Sequence, residues 1–176
     1  KFDTSDIYVF TDSNSATKKI SNLISKKSIN VISINKKCIN GTERCSFGLK
    51  HLKKKYDGYL ILSCDFIGVK WNLIKKIFSI FNDIKNKVNY VGSTAHVQIK
   101  KNNINFDKSV VKVILNNKND IIYLSRNQIP SNYKSLVKVF SHHGPVCLKR
   151  NYLNNYKNLR NTNLQLSEDN EWFKKN

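Results

Sequence analysis

The sequence is poor in the residues that interrupt or cross-link a chain, and it contains no methionine. Its 176 residues include two prolines, six glycines and four cysteines. No apolar run approaches the ~18–20 residues that span a membrane, and the chain after Lys1 shows no apolar segment of the signal-peptide type. We therefore expect no membrane span and no leader, and the missing initiator methionine suggests a processed or partial chain.

The cysteines form neither a zinc pattern nor a disulfide pattern. Cys38, Cys45, Cys64 and Cys147 include no C-x-x-C pair, which zinc ribbons and redox motifs require. Their neighbours are apolar or helical, so we expect four small buried thiols. Free thiols are typical of a reducing compartment, and we therefore expect the protein to lie inside the cell.

Acidic residues, arginine and alanine are scarce, and the chain is strongly basic. It has 27 lysines but four arginines, together with 25 asparagines, 19 isoleucines and two alanines, and its net charge is +19. Lysine, asparagine and isoleucine have AT-rich codons, so codon bias alone can produce this composition. A charge of this size nevertheless attracts polyanions. Both explanations, a working polyanion surface and mere composition, stay open at this point.

Hydrophobic periodicity predicts strands and helices that alternate along most of the chain. We expect strands at 7–10, 29–34, 59–62, 90–99, 110–115 and 121–125 and within 136–148, and helices at 16–24, 45–56, 71–84 and 151–172. Asp12 or Ser13 can cap the first helix. The run 59–62 is apolar on both faces, which is typical of the middle of a parallel sheet. The fold class is therefore α/β in a single domain over 1–176, with helices covering a mixed, mostly parallel central sheet.

Polar segments follow three of the predicted strands, where open α/β sheets bind their ligands. The first, Thr11–Ser13, is equally an ordinary helix cap. The second, residues 40–44, could present free N–H groups to an anion or be a plain loop. The third ends at Asp65, whose carboxylate suits Mg²⁺ but could also cap a turn.

The usual catalytic and cofactor loops are missing from the sequence. It contains no G-x-S-x-G, no Walker-type loop and no G-x-G-x-x-G. His142 and His143 have no carboxylate or cysteine at a metal-ligand spacing, so we reject a zinc site there. Arg126 follows the second strand of a hairpin that turns at 116–120.

Six segments occur in an informative order, although none is specific alone. They are Val9–Asp12, Gly41–Arg44, Leu60–Asp65, Ser109–Leu115, Tyr123–Pro130 and His142–Gly144. The ordered set resembles the CMP-Kdo synthetase, or 3-deoxy-manno-octulosonate cytidylyltransferase, family. Its members carry V-A-T-D, G-T-[DE]-R, Q-G-D-E-P, A-V-K-V, F-S-R-x-x-I-P and H-L-G-I-Y. The match is collinear over nearly the whole chain, and it implies a Rossmann-like three-layer nucleotidyltransferase fold.

The resemblance also implies a chemistry and a set of site residues. Members of that family transfer CMP from CTP to the sugar acid Kdo and release pyrophosphate, with Mg²⁺. By position, Asp65 matches the catalytic, metal-binding aspartate. The matching substrate-binding residues are Thr42 and Arg44 in the G-T-E-R loop, Arg126 and His142 on the sugar-acid side, and Glu171 in the last helix.

Departures from the family pattern argue against activity. Residues 63–67 read Ser-Cys-Asp-Phe-Ile in place of Gln-Gly-Asp-Glu-Pro, Val146 stands for a tyrosine, and Trp172 stands for a glutamine. The family's basic nucleotide loop does not precede Ile7 and its G-V-D-T segment is not reached, so we expect a domain truncated at both ends. Because loss of one charge-stabilising group costs ~10²–10³ in rate, loss of several should abolish turnover.

We therefore expect a degenerate, non-catalytic protein that serves as a structural subunit of a larger assembly. It would need no cofactor, whereas an active chain would need Mg²⁺. A missing first strand would expose a sheet edge, which other protein subunits would cover. The basic charge makes an RNA-containing host natural, such as an organellar (mitochondrial) ribosome. The alternative is an active 3-deoxy-manno-octulosonate cytidylyltransferase, cytoplasmic if bacterial, seen as an incomplete chain.

Overall fold

The computed structural model describes residues 3–25, 27–99, 107–127, 129, 139–159 and 162–163. In chain order its elements are β1 (Tyr8–Thr11), α1 (Asn14–Leu23), β2 (Asn30–Ser33), α2 (Gly41–Gly48), β3 (Gly58–Ile61), α3 (Trp71–Ile84), β4 (Gly92–Gln98), β5 (Lys112–Leu115), β6 (Ile121–Ser125), β7 (Phe140–Lys149) and α4 (Arg150–Asn155). The chain divides into two compact units, residues 1–59 with 149–158 and residues 60–148 with 159–176. No helix of the described ranges is long and apolar enough to cross a membrane.

The first unit begins with a parallel β-α-β arrangement, as the alternation of strand and helix predicts. β1 pairs with β2 in parallel from Tyr8↔Asn30 to Thr11↔Ser33, and α1 connects them. Of the two predicted caps, Ser13 caps α1: its Oγ accepts a hydrogen bond from the backbone N–H of Ala16 at 3.2 Å. This bond satisfies one of the free N–H groups of the first helical turn.

Helix α2 starts earlier than the sequence pattern predicts. The Asn40 side chain accepts a hydrogen bond from Glu43 N at 2.8 Å, and the Glu43 carboxylate accepts one from Ile39 N at 2.7 Å. This reciprocal arrangement resembles a capping box. The expected loop over 38–44 is therefore shorter, because the cap at Asn40 allows the helix to begin at Gly41.

The second unit contains a sheet with the strand order β3-β7-β5-β6, in which β4 also pairs with β7. β4 is antiparallel to β7, and β5 is antiparallel to both β6 and β7. The α/β class is confirmed, but the expectation of a mostly parallel sheet is wrong here. β3 stands at one end of the strand order and not in its middle. Alternation of strands and helices predicts crossovers between sequence neighbours, whereas β7 pairs with strands far back in the chain.

The core of the second unit forms where α3 packs on this sheet. Ile77 and Phe81 of α3 are buried with Ala95 of β4 and Cys147 of β7, and Leu60, Leu73 and Phe78 pack against them. The buried Ser93 hydroxyl donates to the Ile77 carbonyl at 2.9 Å. Helix α3 has the predicted bounds, since its apolar residues recur at helical spacing.

The cysteines and the chain end differ from expectation in part. All four cysteines are free, but only Cys147 is buried, while Cys38 and Cys45 are half-buried and Cys64 is exposed. The predicted last helix is described as α4 followed by a 3-10 turn over Tyr156–Asn158. Glu171 lies outside the described residues.

Candidate functional site

Asp65 lies in a tight turn that follows β3. The backbone N–H of Phe66 donates to the Ser63 carbonyl at 3.2 Å, and that of Ile67 donates to the Asp65 carbonyl at 3.0 Å. The side chain of Asp65 is exposed. The turn therefore leaves the carboxylate exposed to solvent.

The residue that follows Asp65 packs against the backbone of β7. A Cβ placed on Gly144 would lie 2.7 Å from Cε1 of the Phe66 ring, so the ring rests directly on the Gly144 backbone. In the resembled motif this position holds a glutamate. Here it is an apolar packing residue that joins the Asp65 turn to the His142–Gly144 segment.

The His142–Gly144 segment forms a bulge in β7. Thr94 of β4 pairs with Val146, but His96, two residues further, pairs with His142. Residues 143–145 of β7 therefore stand opposite the single residue Ala95. Gly144 has φ +72°, a left-handed conformation that residues with a Cβ rarely adopt. The bulge redirects β7 between His142 and Val146.

A hydrogen-bonded chain spans this bulge. The Thr94 hydroxyl lies 2.9 Å from Nε2 of His142 and donates to the Pro145 carbonyl, also at 2.9 Å. The His142 backbone N–H donates to the Val111 carbonyl at 2.8 Å. The His142 ring is thereby tied to Thr94 of β4 and, through the Thr94 hydroxyl, to Pro145 of β7.

Arg126 is held at the open end of the β5–β6 hairpin. Its Nη1 donates to the carbonyls of Lys108 and Ser109 at 3.1 and 3.2 Å. Its own carbonyl accepts a hydrogen bond from Nζ of Lys112 at 2.8 Å, and the same ammonium donates to the Asp107 carbonyl at 2.5 Å. Hydrogen bonds from Arg126 and from Lys112 thus link the loop before β5 to the residue after β6.

Lys112 is a buried cation between these two segments. It is 3% exposed, and its ammonium is solvated by two carbonyl oxygens. Burial lowers the pKa of Lys112; nearby Asp107 opposes this shift and Arg126 adds to it. Lys112 and Arg126 are therefore two neighbouring cations, and the Asp107 carboxylate lies near Lys112.

Strand pairing places Arg126 and His142 at the same end of the sheet. Lys112 pairs with Ser125 on one side and with Ser141 on the other, and Arg126 and His142 come directly after those two serines. Two interstrand spacings separate the two backbones, which corresponds to ~10 Å. Separately, the Phe66–Gly144 contact places the turn that contains Asp65 against β7, two residues after His142.

Thr42 and Arg44 belong to the first unit and lie in the first turn of α2. Thr42 is 2% exposed, so its hydroxyl is not at the surface of this unit. Nε of Arg44 is buried and has no hydrogen-bond partner within the described part of the chain. The prediction that placed both residues in a loop is wrong, because the Asn40 cap brings them into the helix.

The residues present do not fit a metal centre held by the protein alone. Among the described residues, no group of three His, Cys, Asp or Glu side chains could hold a metal ion. Asp65 supplies a single carboxylate, and Phe66 takes the place of the acidic neighbour. This turn therefore offers Mg²⁺ one carboxylate from the sequence 63–67.

A small apolar cavity adjoins the Asp65 turn in the second unit. Its volume is ≈ 220 Å³, and it is lined by residues 66–70 with Leu73 and Pro145. Sites for drug-sized ligands measure ~300–1,000 Å³. The cavity is thus too small for a nucleotide, and Phe66 and Pro145 make it part of the packing behind the bulge.

Sequence reasoning missed Thr94. Thr94 lies in a strand with no motif around it, and its partner His142 is 48 residues away. Threonine is common in strands because β-branched side chains pack well there, so a threonine in a strand does not by itself indicate a functional residue. Only the register of β4 against β7 shows that its hydroxyl meets the predicted histidine.

Relatives of the chain share one described activity. A family model described as cytidylyltransferase matches residues 2–173. The mitochondrial 3-deoxy-manno-octulosonate cytidylyltransferase of Arabidopsis thaliana is 31% identical over 148 residues, 82% of this chain and 50% of that protein. The 3-deoxy-manno-octulosonate cytidylyltransferase of Wigglesworthia glossinidia brevipalpis is 31% identical over 137 residues, 77% of this chain and 54% of that protein. The chain spans about half the length of these curated relatives.

A solved structure has the same fold over most of the chain. The CMP:2-keto-3-deoxy-manno-octonic acid synthetase, complexed with CTP, matches with a TM-score of 0.79 at 20% sequence identity. The match covers 93% of this chain and 64% of that one. At this identity the likeness shows the fold alone.

Proposed function

Since this chain belongs to the cytidylyltransferase family, with 3-deoxy-manno-octulosonate cytidylyltransferases among its relatives, we propose that it has the fold of such an enzyme but has lost the catalytic activity. In this proposal the protein is a structural subunit of a larger assembly. Its partners are other protein subunits and RNA, which the net charge of +19 attracts. The proposed compartment is a reducing one, the mitochondrion, which agrees with four free cysteines.

The observation that carries the loss of turnover is the contact between Phe66 and Gly144. Nucleotidyl transfer depends on positioned charge around the phosphates. The position next to Asp65 is occupied by a ring that rests on the β7 backbone. A carboxylate at this position would lose this packing, and with Phe66 here Asp65 has no acidic residue next to it in the sequence.

A pyrophosphate-release assay tests this proposal. We expect the purified chain, mixed with CTP, Kdo and Mg²⁺, to release pyrophosphate no faster than its Asp65→Asn variant. The variant keeps the size of the side chain and removes the charge that a metal would need. Release by the wild type that the variant abolishes would overturn the proposal.

The second candidate is an active 3-deoxy-manno-octulosonate cytidylyltransferase that requires Mg²⁺. It is favoured by the order of the sugar-acid side: the Arg126 guanidinium is held by the loop at residues 108–109, and the His142 ring is held by Thr94 of β4. In this candidate Asp65 is the catalytic residue, and Thr42, Arg44, Arg126, His142 and Glu171 bind substrate. The same assay decides, and Arg126→Gln should then raise the KM for the sugar acid more than it changes kcat.

A further inference from the structure

We propose that Thr94 is a positioning residue that fixes the tautomer of His142, so that the neutral ring carries its proton on Nε2. The inference rests on one hydroxyl group that lies within hydrogen-bond distance of both a ring nitrogen and a carbonyl oxygen. Thr94 Oγ1 lies 2.9 Å from His142 Nε2 and 2.9 Å from the Pro145 oxygen. The inference concerns the ring itself and holds for either candidate function.

Counting protons assigns the direction of both bonds. A threonine hydroxyl has one proton to donate, and a carbonyl oxygen can only accept. If the hydroxyl donated to Nε2, the oxygens of Thr94 and Pro145 would face each other at 2.9 Å without a proton between them, which is repulsive. The hydroxyl therefore donates to Pro145, and Nε2 must donate to the hydroxyl.

The two groups that meet the Thr94 hydroxyl belong to residues three positions apart in β7, at the bulge. Here residues 143–145 stand opposite one residue of β4, and Gly144 turns the chain at φ +72°. This brings the Pro145 carbonyl and the His142 ring to the same hydroxyl.

As a consequence, the two ring nitrogens of His142 have different hydrogen-bonding roles. With Nε2 protonated, Nδ1 holds the lone pair and is the nitrogen that accepts a hydrogen bond or gains a proton. This assignment is unchanged if the chain has no catalytic turnover.

Nitrogen NMR of the full chain, labelled with ¹⁵N at histidine, tests the proposal. At a pH above the imidazole titration, we expect the His142 ring to show Nε2–H and an unprotonated Nδ1, with the signals assigned by their loss in His142→Gln. We also expect a protected Nε2 proton that exchanges at least about fivefold faster in Thr94→Val, which loses one hydrogen bond. Thr94→Ser keeps the hydroxyl and should restore the protection.

Two outcomes would overturn the proposal. One is a wild-type His142 ring protonated on Nδ1, which needs no variant and therefore does not depend on a variant folding. The other is an exchange rate in Thr94→Val equal to that of the wild type while the backbone spectrum stays native. Neither outcome depends on pyrophosphate release, so the inference and the proposed function can fail separately.

Discussion

Cys147 shows what burial does to a single ionisable group in this protein. Its side chain has no solvent exposure and packs in the cluster with Ile77, Phe81 and Ala95. Burial raises the pKa of its thiol to about 12, because a thiolate has no favourable solvation there. Cys147 therefore acts as a small hydrophobic residue and not as a nucleophile.

The buried thiol predicts a loss of stability in alkali. The unfolded chain ionises this thiol near its ordinary value of about 8.5, while the folded chain keeps it neutral up to about 12. The stability contribution is complete below the unfolded pKa and is lost as the pH rises toward the folded one. Relative to Cys147→Ala, the wild-type free energy of unfolding should fall by ~1.4 kcal/mol per pH unit above about 9.

Urea titrations of both proteins at several alkaline pH values measure this difference. Other groups titrate in the same range, but they are common to the wild type and the variant and cancel in the comparison. Cys64→Ala removes an exposed thiol and serves as the matched control. A Cys147→Ala difference that stays constant across the range would contradict the prediction.

At the scale of the element, the β7 bulge depends on Gly144 and on the ring that covers it. Gly144 has a left-handed backbone conformation, and a Cβ at this position would overlap with the Phe66 ring. Gly68 has a similar φ of +77°, but no atom lies within 4 Å of the point that a Cβ would occupy there. The two glycines therefore separate backbone strain from steric overlap.

Alanine substitution at these two glycines should have unequal costs. Gly68→Ala should destabilise by about 1 kcal/mol, the strain of a left-handed residue with a Cβ. Gly144→Ala should cost about 2–3 kcal/mol, since displacement of the Phe66 ring adds to the strain. The free energies of unfolding in urea give both numbers. Introducing Phe66→Ala should reduce the Gly144→Ala cost to that of Gly68→Ala; equal costs in both backgrounds would exclude the overlap.

Local patterns predicted the elements well and their pairing poorly. The periodicity of Leu73, Ile74, Ile77 and Phe81 gives α3 its bounds, and Ser13 caps α1 as a side-chain oxygen before a helix should. The antiparallel sheet was missed because β7 pairs with β4 across some fifty residues. Such pairing depends on packing between distant segments, which periodicity within one segment does not report.

At the scale of the whole molecule, the same limit applies to the candidate site. Collinear motifs proposed Asp65, Arg126 and His142. The sheet of the second unit places Arg126 and His142 at one end, and the turn that contains Asp65 contacts Gly144. The motifs gave no sign of Thr94 or of the Phe66–Gly144 contact, because these depend on register and on a bulge. Family resemblance therefore proposes candidate site residues, whereas the residues that contact and orient them have to be found in the structure.

The composition of the whole chain does not decide whether its net charge has a function. Codon bias can produce 27 lysines, but in a surface that binds RNA the lysines would be clustered where they can contact phosphates. In the first unit Lys50, Lys53, Lys54 and Lys55 are exposed within six residues, and among them Lys54 forms an ion pair with Asp6 at 3.4 Å. Lys53 and Lys55 therefore suit a substitution that tests the RNA part of the proposed function.

Binding of single-stranded RNA as a function of salt distinguishes a working surface from composition. Four phosphate contacts give a slope of log K against log salt of about −3, since each contact to a single strand contributes about −0.7. Changing Lys53 and Lys55 to Gln should make the slope less steep by about 1.4. The same change at Lys75 and Lys76, exposed on α3, removes equal charge and should leave the slope as it was. Equal effects of the two pairs would favour charge by composition alone, and affinity without salt dependence would exclude phosphate contacts altogether.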